Sequence, residues 1–202
     1  MPDFDKISAV LSAGGVIAYP TETVYGLGCN AYAESAVARI VDMKGRLVEK
    51  GLLVLIGHTD QLDEIAEEIS PEARLLMSEF WPGPLTLIFK ASMKLPESVT
   101  GGMGSVGVRI SPDPICVSLM EHYHHPLVST SANPAGKPPA MTAKEVVGYF
   151  PEGPDLIIDG GERRTDLVST LIDMRSAPAR LLRRGVITSQ EIERKTGVMI
   201  EI

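Results

Sequence analysis

The sequence predicts a single mixed α/β domain, a large sheet with helices packed against it. Three observations carry this. Short apolar runs of strand length alternate with segments whose apolar residues recur near every 3.6 positions. The C-terminal runs follow one another with short connections, which antiparallel pairing permits, so the sheet is expected to be partly antiparallel. A chain of 202 residues with 44% hydrophobic content is long enough for one core, and it contains no internal repeat, low-complexity tract or domain boundary.

The elements are read in order. Phe4, Ile7, Val10 and Leu11 mark a first helix, and Val16–Tyr19 is the first strand. Val37, Ile40 and Val41 mark a second helix, followed by a strand at Leu52–Ile56. Leu62, Ile65 and Ile69 have the spacing of a third helix; Pro71 suits the first turn of the next, which carries Leu75, Leu76 and Phe80. In "WPGPLTLIF" (Trp81 to Phe89) two prolines and a glycine set a turn, Trp81 packs, and a strand runs from Leu85 to Phe89. Then come a strand at Val106–Ile110, a helix with Ile115, Leu119 and Met120, and strands at Leu127–Ser129, Leu156–Asp159, Thr170–Asp173 and Arg180–Leu182. "TAKE" (Thr142 to Glu145) and "TSQE" (Thr188 to Glu191) are capping boxes that start helices.

Charge and composition exclude several classes. A net charge of −7 argues against a general electrostatic grip on nucleic acid. The charge is uneven: residues 1–161 carry 11 basic and 20 acidic groups, whereas residues 162–195 carry 8 basic and 5 acidic. That basic segment faces either solvent or a polyanion. Cys29 and Cys116 stand outside any metal or redox spacing and read as buried free thiols of a reducing cytoplasm. "HYHH" (His122 to His125) has no second ligand cluster and reads as a polar helix end. "MPDFDKIS" lacks the basic and apolar regions of a signal peptide, and no apolar run is long enough to cross a membrane.

Polar residues collect where strands end. "YPTETVYGLG" (Tyr19 to Gly28) follows the first strand with far more hydrogen-bonding capacity than a turn needs. "KGR" (Lys44 to Arg46) closes the second helix, with Lys50 soon after. Such cations either complement the dipole of an exposed helix end or converge on a polyphosphate. "STSAN" (Ser129 to Asn133) offers three small hydroxyls and an amide; Asn133-Pro134 alone reads as a turn start. Arg109 inside "VGVRI" sits at a sheet edge, faces solvent or meets a ligand carboxylate. Ser169-Thr170 and Arg183 complete the set. No P-loop, dinucleotide fingerprint or nucleophile elbow is present. Cations, hydroxyls and an amide without a nucleophile suit the positioning of an anionic substrate and electrostatic stabilisation.

Taken together, "YPTETVYGLG", "KGRLVEKGLLVL", "FWPGPLTLIF", "VGVRI", "PLVSTSANPAGKPPA", "IIDGG", "STLID" and "LLRRG" stand in the order and spacing of the YrdC family. The resemblance runs from about Ile7 to about Ile187, within one domain of residues 1–202, and is strongest to the short bacterial threonylcarbamoyl-AMP synthases. It implies a twisted sheet with a concave, positively lined cavity. It also implies a nucleotidyltransferase that turns L-threonine, bicarbonate and ATP into L-threonylcarbamoyl-AMP and pyrophosphate. The product would feed, through separate transferase proteins, the t6A modification of tRNA at position 37. By resemblance Thr23, Arg109, Ser129 and Ser169 hold threonine. Lys44, Arg46, Lys50, Ser105, Ser131, Asn133 and Arg183 surround ATP, with Lys44 and Arg46 acting on the phosphorus centre and Mg²⁺ held mainly by the nucleotide. Three positions depart from the family pattern: Leu47 and Val168 replace usual prolines, and Leu55 stands where longer relatives carry a threonine-contacting histidine. The competing readings are a YciO-like paralogue with little synthase activity, a double-stranded RNA or tRNA binding module, and a carbamoyltransferase domain like that of hydrogenase maturation proteins.

Overall fold

The computed structural model describes residues 2–45, 51–163 and 168–202. The elements are α1 (Phe4–Ser12), β1 (Ile17–Pro20), β2 (Tyr25–Asn30), α2 (Glu34–Lys44), β3 (Leu53–Leu55), α3 (Leu62–Ile65), β4 (Ala66–Glu67), α4 (Pro71–Phe80), β5 (Leu85–Ala91), α5 (Glu97–Thr100) and β6 (Ser105–Arg109). They continue with α6 (Pro114–Tyr123), β7 (Leu127–Ser131), α7 (Ala143–Tyr149), β8 (Leu156–Ile157), β9 (Thr170–Asp173), β10 (Ala179–Arg183), α8 (Ser189–Thr196) and β11 (Ile200–Glu201).

Among the described residues all strands join one sheet in the order β11-β10-β9-β5-β6-β3-β7-β2-β1-β8, with β4 paired to β5. The sheet is mixed, as expected. β9 and β10 are antiparallel, while β5–β9, β3–β6 and β1–β8 are parallel.

Side chains alternate between the faces, and the alternation separates two cores. Ala18, Leu27, Val54, Leu87, Val108 and Val128 point into the larger core. Ile17, Tyr19, Leu55 and Leu127 point the other way, under α1 and α6. Helices therefore pack on both faces, but α1 and α6 cover only one end of theirs.

The helix ends follow local chemistry. Asp3, Ser70, Thr142 and Thr188 accept N-terminal backbone N–H groups, so both expected capping boxes do start helices. Gly45 ends α2 at φ 62°, a left-handed conformation that costs glycine little. "HYHH" is the end of α6: His122 stacks on Phe4 of α1 and His124 takes the left-handed cap position. Trp81 does pack structurally, its indole N–H donating to Leu85 O at 2.7 Å.

Two expectations need correction. The third helix does not reach Ile69: a 3₁₀ turn at Thr59–Gln61 leads into α3, and the chain then becomes β4, where Ala66 and Glu67 pair with Ala91 and Lys90. Strand pairing at the edge of β5 overrides the helical period. No strand was expected within "YPTETVYGLG", yet its second half is β2, a central strand paired to β1 and β7.

Candidate functional site

Residues paired across adjacent strands share a face, so register shows what the open end of the sheet presents. One row runs Gly28, Ser129, Leu53, Gly107, Ile88 across β2, β7, β3, β6 and β5. Ser131, Arg109, Ser105 and Thr86 stand two positions from members of that row and therefore share its face. Gly28 lets the Tyr19 ring lie against the sheet. A Cβ on Gly28 would lie 2.8 Å from the Tyr19 ring and 2.9 Å from Val128 O, so no larger residue fits there.

The β1–β2 turn distributes its polar groups among distinct tasks. The Thr21 N–H and Oγ1 both donate to Val24 O, at 3.1 and 2.8 Å, and Oγ1 accepts from Thr23 N and Val24 N. Thr21 thus closes the turn and leaves Glu22 and Thr23 at its tip. The Tyr25 hydroxyl donates to Gly161 O at 3.0 Å and accepts from Gly160 N at 3.1 Å, tying down "IIDGG". The Glu22 carboxylate accepts from Arg109 Nη1 at 2.5 Å and from Ser111 Oγ at 2.6 Å.

Arg109 is neither at a sheet edge nor in solvent. It is 5% exposed, on β6 between β5 and β3. Arg183 donates through Nε and Nη2 to Ser169 O, and through Nη2 to Ser169 Oγ at 2.9 Å. Loss of solvation around its head group and the nearby Arg109 charge push its guanidinium below the ordinary range. Two cations therefore address one region. Two buried hydroxyls lie behind the serines: Tyr19 donates to Ser129 Oγ at 2.6 Å, and Thr86 Oγ1 shares a 2.9 Å hydrogen bond with Ser169 Oγ.

Lys44 is buried at 2% exposure, although the sequence placed it at an exposed helix end. Its ammonium donates to Ser131 O, to Asn133 O at 3.0 Å and to Asn133 Oδ1 at 3.5 Å. It thereby joins the end of α2 to the loop after β7. The Asn133 amide donates to Pro134 O and Lys137 O, so the turn role is filled. Ser105 opens β6 opposite Lys90. Arg46, Lys50 and Leu47 lie outside the described residues. Leu55 packs into the core under α1 and α6, in register with Arg109, where longer relatives were expected to place histidine.

The model of the Sua5/YciO/YrdC family, described as telomere recombination, matches residues 9–185. The chain belongs to this family. A threonylcarbamoyl-AMP synthase of Pyrococcus abyssi is 44% identical over 184 residues, which is 91% of this chain and 54% of that protein. The chain thus spans about half the length of that relative. A threonylcarbamoyl-AMP synthase of Pseudomonas aeruginosa is 43% identical over 166 residues, 81% of this chain and 89% of that protein. The crystal structure of P. abyssi Sua5 complexed with L-threonine superposes with a TM-score of 0.92 at 41% identity, covering 98% of this chain and 58% of the other.

Within this member of the family a cavity of about 330 Å³ adjoins the Glu22 cluster, lined by Leu55, His58, Ile110, Ser111, Cys116 and Met120. Burial pushes the Cys116 and Cys29 thiols up to about 12, so both stay protonated and neither is a nucleophile. A larger cleft of about 810 Å³, between α4 and the turn Arg175–Ala179, contains none of the candidate residues. Sequence reasoning missed Glu22, Ser111, Tyr19 and Thr86 as parts of the site. The dense polarity of "YPTETVYGLG" flagged Glu22, but nothing local marks Thr86, whose role comes from β5 pairing beside β9.

Proposed function

We propose that the chain is a threonylcarbamoyl-AMP synthase: L-threonine, bicarbonate and ATP give L-threonylcarbamoyl-AMP and pyrophosphate. The observation that carries this reading is the buried Arg109 on the same sheet face as Ser129, in a chain this similar to named synthases.

Arg109 takes the threonine carboxylate, with Thr23, Ser129 and Ser169 around it. Bicarbonate yields carbon dioxide by losing hydroxide; the threonine amine attacks the carbon dioxide, forming the carbamate N–C bond, and the amine proton released combines with the hydroxide as water. A carbamate oxygen attacks the α-phosphorus of ATP as the bond to pyrophosphate breaks. Arg183, Lys44, Arg46 and Lys50 offset the charge that accumulates on the phosphates. Ser105, Ser131 and Asn133 shape the nucleotide's side of a concave, cationic cavity. Lys44 acts from below the loop it anchors. Among the described residues no group of three or more His, Cys, Asp or Glu side chains converges. Mg²⁺ would enter with the nucleotide, held mainly by its phosphates.

The product is a mixed anhydride for tRNA t6A37 modification by separate transferase proteins, and the whole chain acts as one cytoplasmic domain. An RNA-binding role is disfavoured. Of the 8 basic residues in 162–195, Arg163, Arg175, Arg180 and Lys195 are ion-paired within the chain. The test is pyrophosphate release with and without tRNA. The reading expects release that needs threonine and bicarbonate but no tRNA; strict dependence on tRNA would overturn it.

A further inference from the structure

Two segments, the β1–β2 turn and the end of β6, meet at one carboxylate. Glu22, at the tip of the β1–β2 turn, accepts from Arg109 Nη1 at 2.5 Å and from Ser111 Oγ at 2.6 Å. The turn has little freedom to withdraw it, because Thr21 is 3% exposed and closes the turn through its own hydroxyl. The Glu22 side chain is 18% exposed and that of Arg109 7%, so the pair is shielded from most solvent screening, and its Ser111 partner lines the adjoining cavity.

The guanidinium is only partly satisfied. Arg109 Nε is buried and, among the described residues, has no hydrogen-bond partner. Nη1 and Nε lie on opposite sides of the planar fork, so a carboxylate bound at Nη1 leaves donor capacity on the other edge. A buried donor without an acceptor is costly, and a carboxylate arriving at that edge removes the cost. Charge points the same way. The nearly buried Arg109 guanidinium needs a counter-charge, and Arg183 adds a second positive charge nearby.

We infer that Glu22 is a positioning residue for the amino-acid subsite: it fixes the rotation of Arg109, turns the remaining edge of the guanidinium to the substrate carboxylate, and offsets the cationic pair. Ser111 holds the far oxygen of Glu22 and keeps the bridge in place. The inference rests on the reading of Arg109 as the partner of the threonine carboxylate.

The test is calorimetric titration of threonine into the ligand-free protein, alongside KM values for threonine and ATP and a melting temperature for each variant. Glu22→Gln keeps the shape and removes the charge. It is expected to weaken threonine binding about 10–100-fold, the scale of a lost hydrogen bond to a charged group, with the ATP KM changed less than about twofold. Ser111→Ala keeps the charge and should give the same selective loss at smaller size. In an Arg109→Ala background, Glu22→Gln should add nothing. A folded Glu22→Gln protein with unchanged threonine affinity would overturn the inference, as would an effect that persists without Arg109. Tighter threonine binding would overturn it too, since Glu22 would then be a competitor for Arg109. Wild-type protein that binds no threonine would remove the underlying reading as well, whereas a wild type that binds it and a variant that binds equally would remove only the role of Glu22.

Discussion

Tyr19→Phe deletes one oxygen and leaves the ring. The ring itself is needed, since it packs against Gly28 with no room for a Cβ between them. The hydroxyl is fully buried and donates to Ser129 Oγ at 2.6 Å. Burial pushes the phenol above its ordinary range, so it keeps its proton at any working pH. Because Tyr19 supplies the proton in that bond, the Ser129 proton points elsewhere and is free to serve the substrate proposed above. Deleting the donor loses a net ~0.5–1.5 kcal/mol for the bond and leaves a nearly buried oxygen short of a partner, giving about 1–2 kcal/mol of destabilisation. For a chain of this size that is a fall of about 2–8 °C in Tm. Ser129 is then free to turn away, and the threonine KM should rise about 5–10-fold while that for ATP stays within about twofold. Pyrophosphate release at varied threonine and a melting scan measure both. In a Ser129→Ala background the effect of Tyr19→Phe on threonine should vanish. Equal losses for both substrates, or fully additive effects in the double variant, would refute the reasoning.

Lys44 and Arg46 should separate. Lys44→Met strands two half-buried carbonyls and should cost about 2 kcal/mol in a melting or denaturant experiment, with activity falling alongside; an unchanged midpoint would contradict the anchoring role. Arg46→Ala should leave Tm nearly unchanged and lower turnover about 10²–10³-fold; full activity would remove Arg46 from the site. Arg109→Ala should weaken threonine binding far more than ATP binding, and equal losses in calorimetry would take Arg109 out of the carboxylate role. Asp155 should govern part of the acid response. Its hydrogen bonds from Arg39, then that from Val16 N, hold its carboxyl below the ordinary value of 3.8. A carboxyl depressed in the folded state stabilises above its unfolded value, and that contribution is lost as pH falls through the folded one. Tm of the wild type should therefore drop more steeply than that of Asp155→Asn below about pH 4; parallel curves would contradict the assignment.

The fold was legible wherever a periodic signal was local. The strand at Thr170–Asp173 lies where the apolar run places it, and Pro71 opens α4 at its first turn. β2 was missed although Tyr25, Leu27 and Cys29 alternate, because the intervening Gly26 and Gly28 are poor strand formers. The glycines instead let the Tyr19 ring lie against the sheet, a reason visible only once Tyr19 is seen to pack over them. The likeness to a known family selected Arg109 and the serines. It could not tell that Lys44 is buried, because that depends on the path of the loop after β7. Thr86 and Ser111 carry no sequence signal of their own; pairing and a crossing turn bring them to Ser169 and Glu22.

The most direct measurement uses ¹³C-bicarbonate. The purified protein is incubated with ATP, L-threonine and labelled bicarbonate, without tRNA or any second protein, and the products are read by mass spectrometry. The account predicts threonylcarbamoyl-AMP carrying one ¹³C, formed in step with pyrophosphate and absent when threonine is omitted. Pyrophosphate without the labelled adenylate, or no product from a folded protein that binds both substrates, would contradict it.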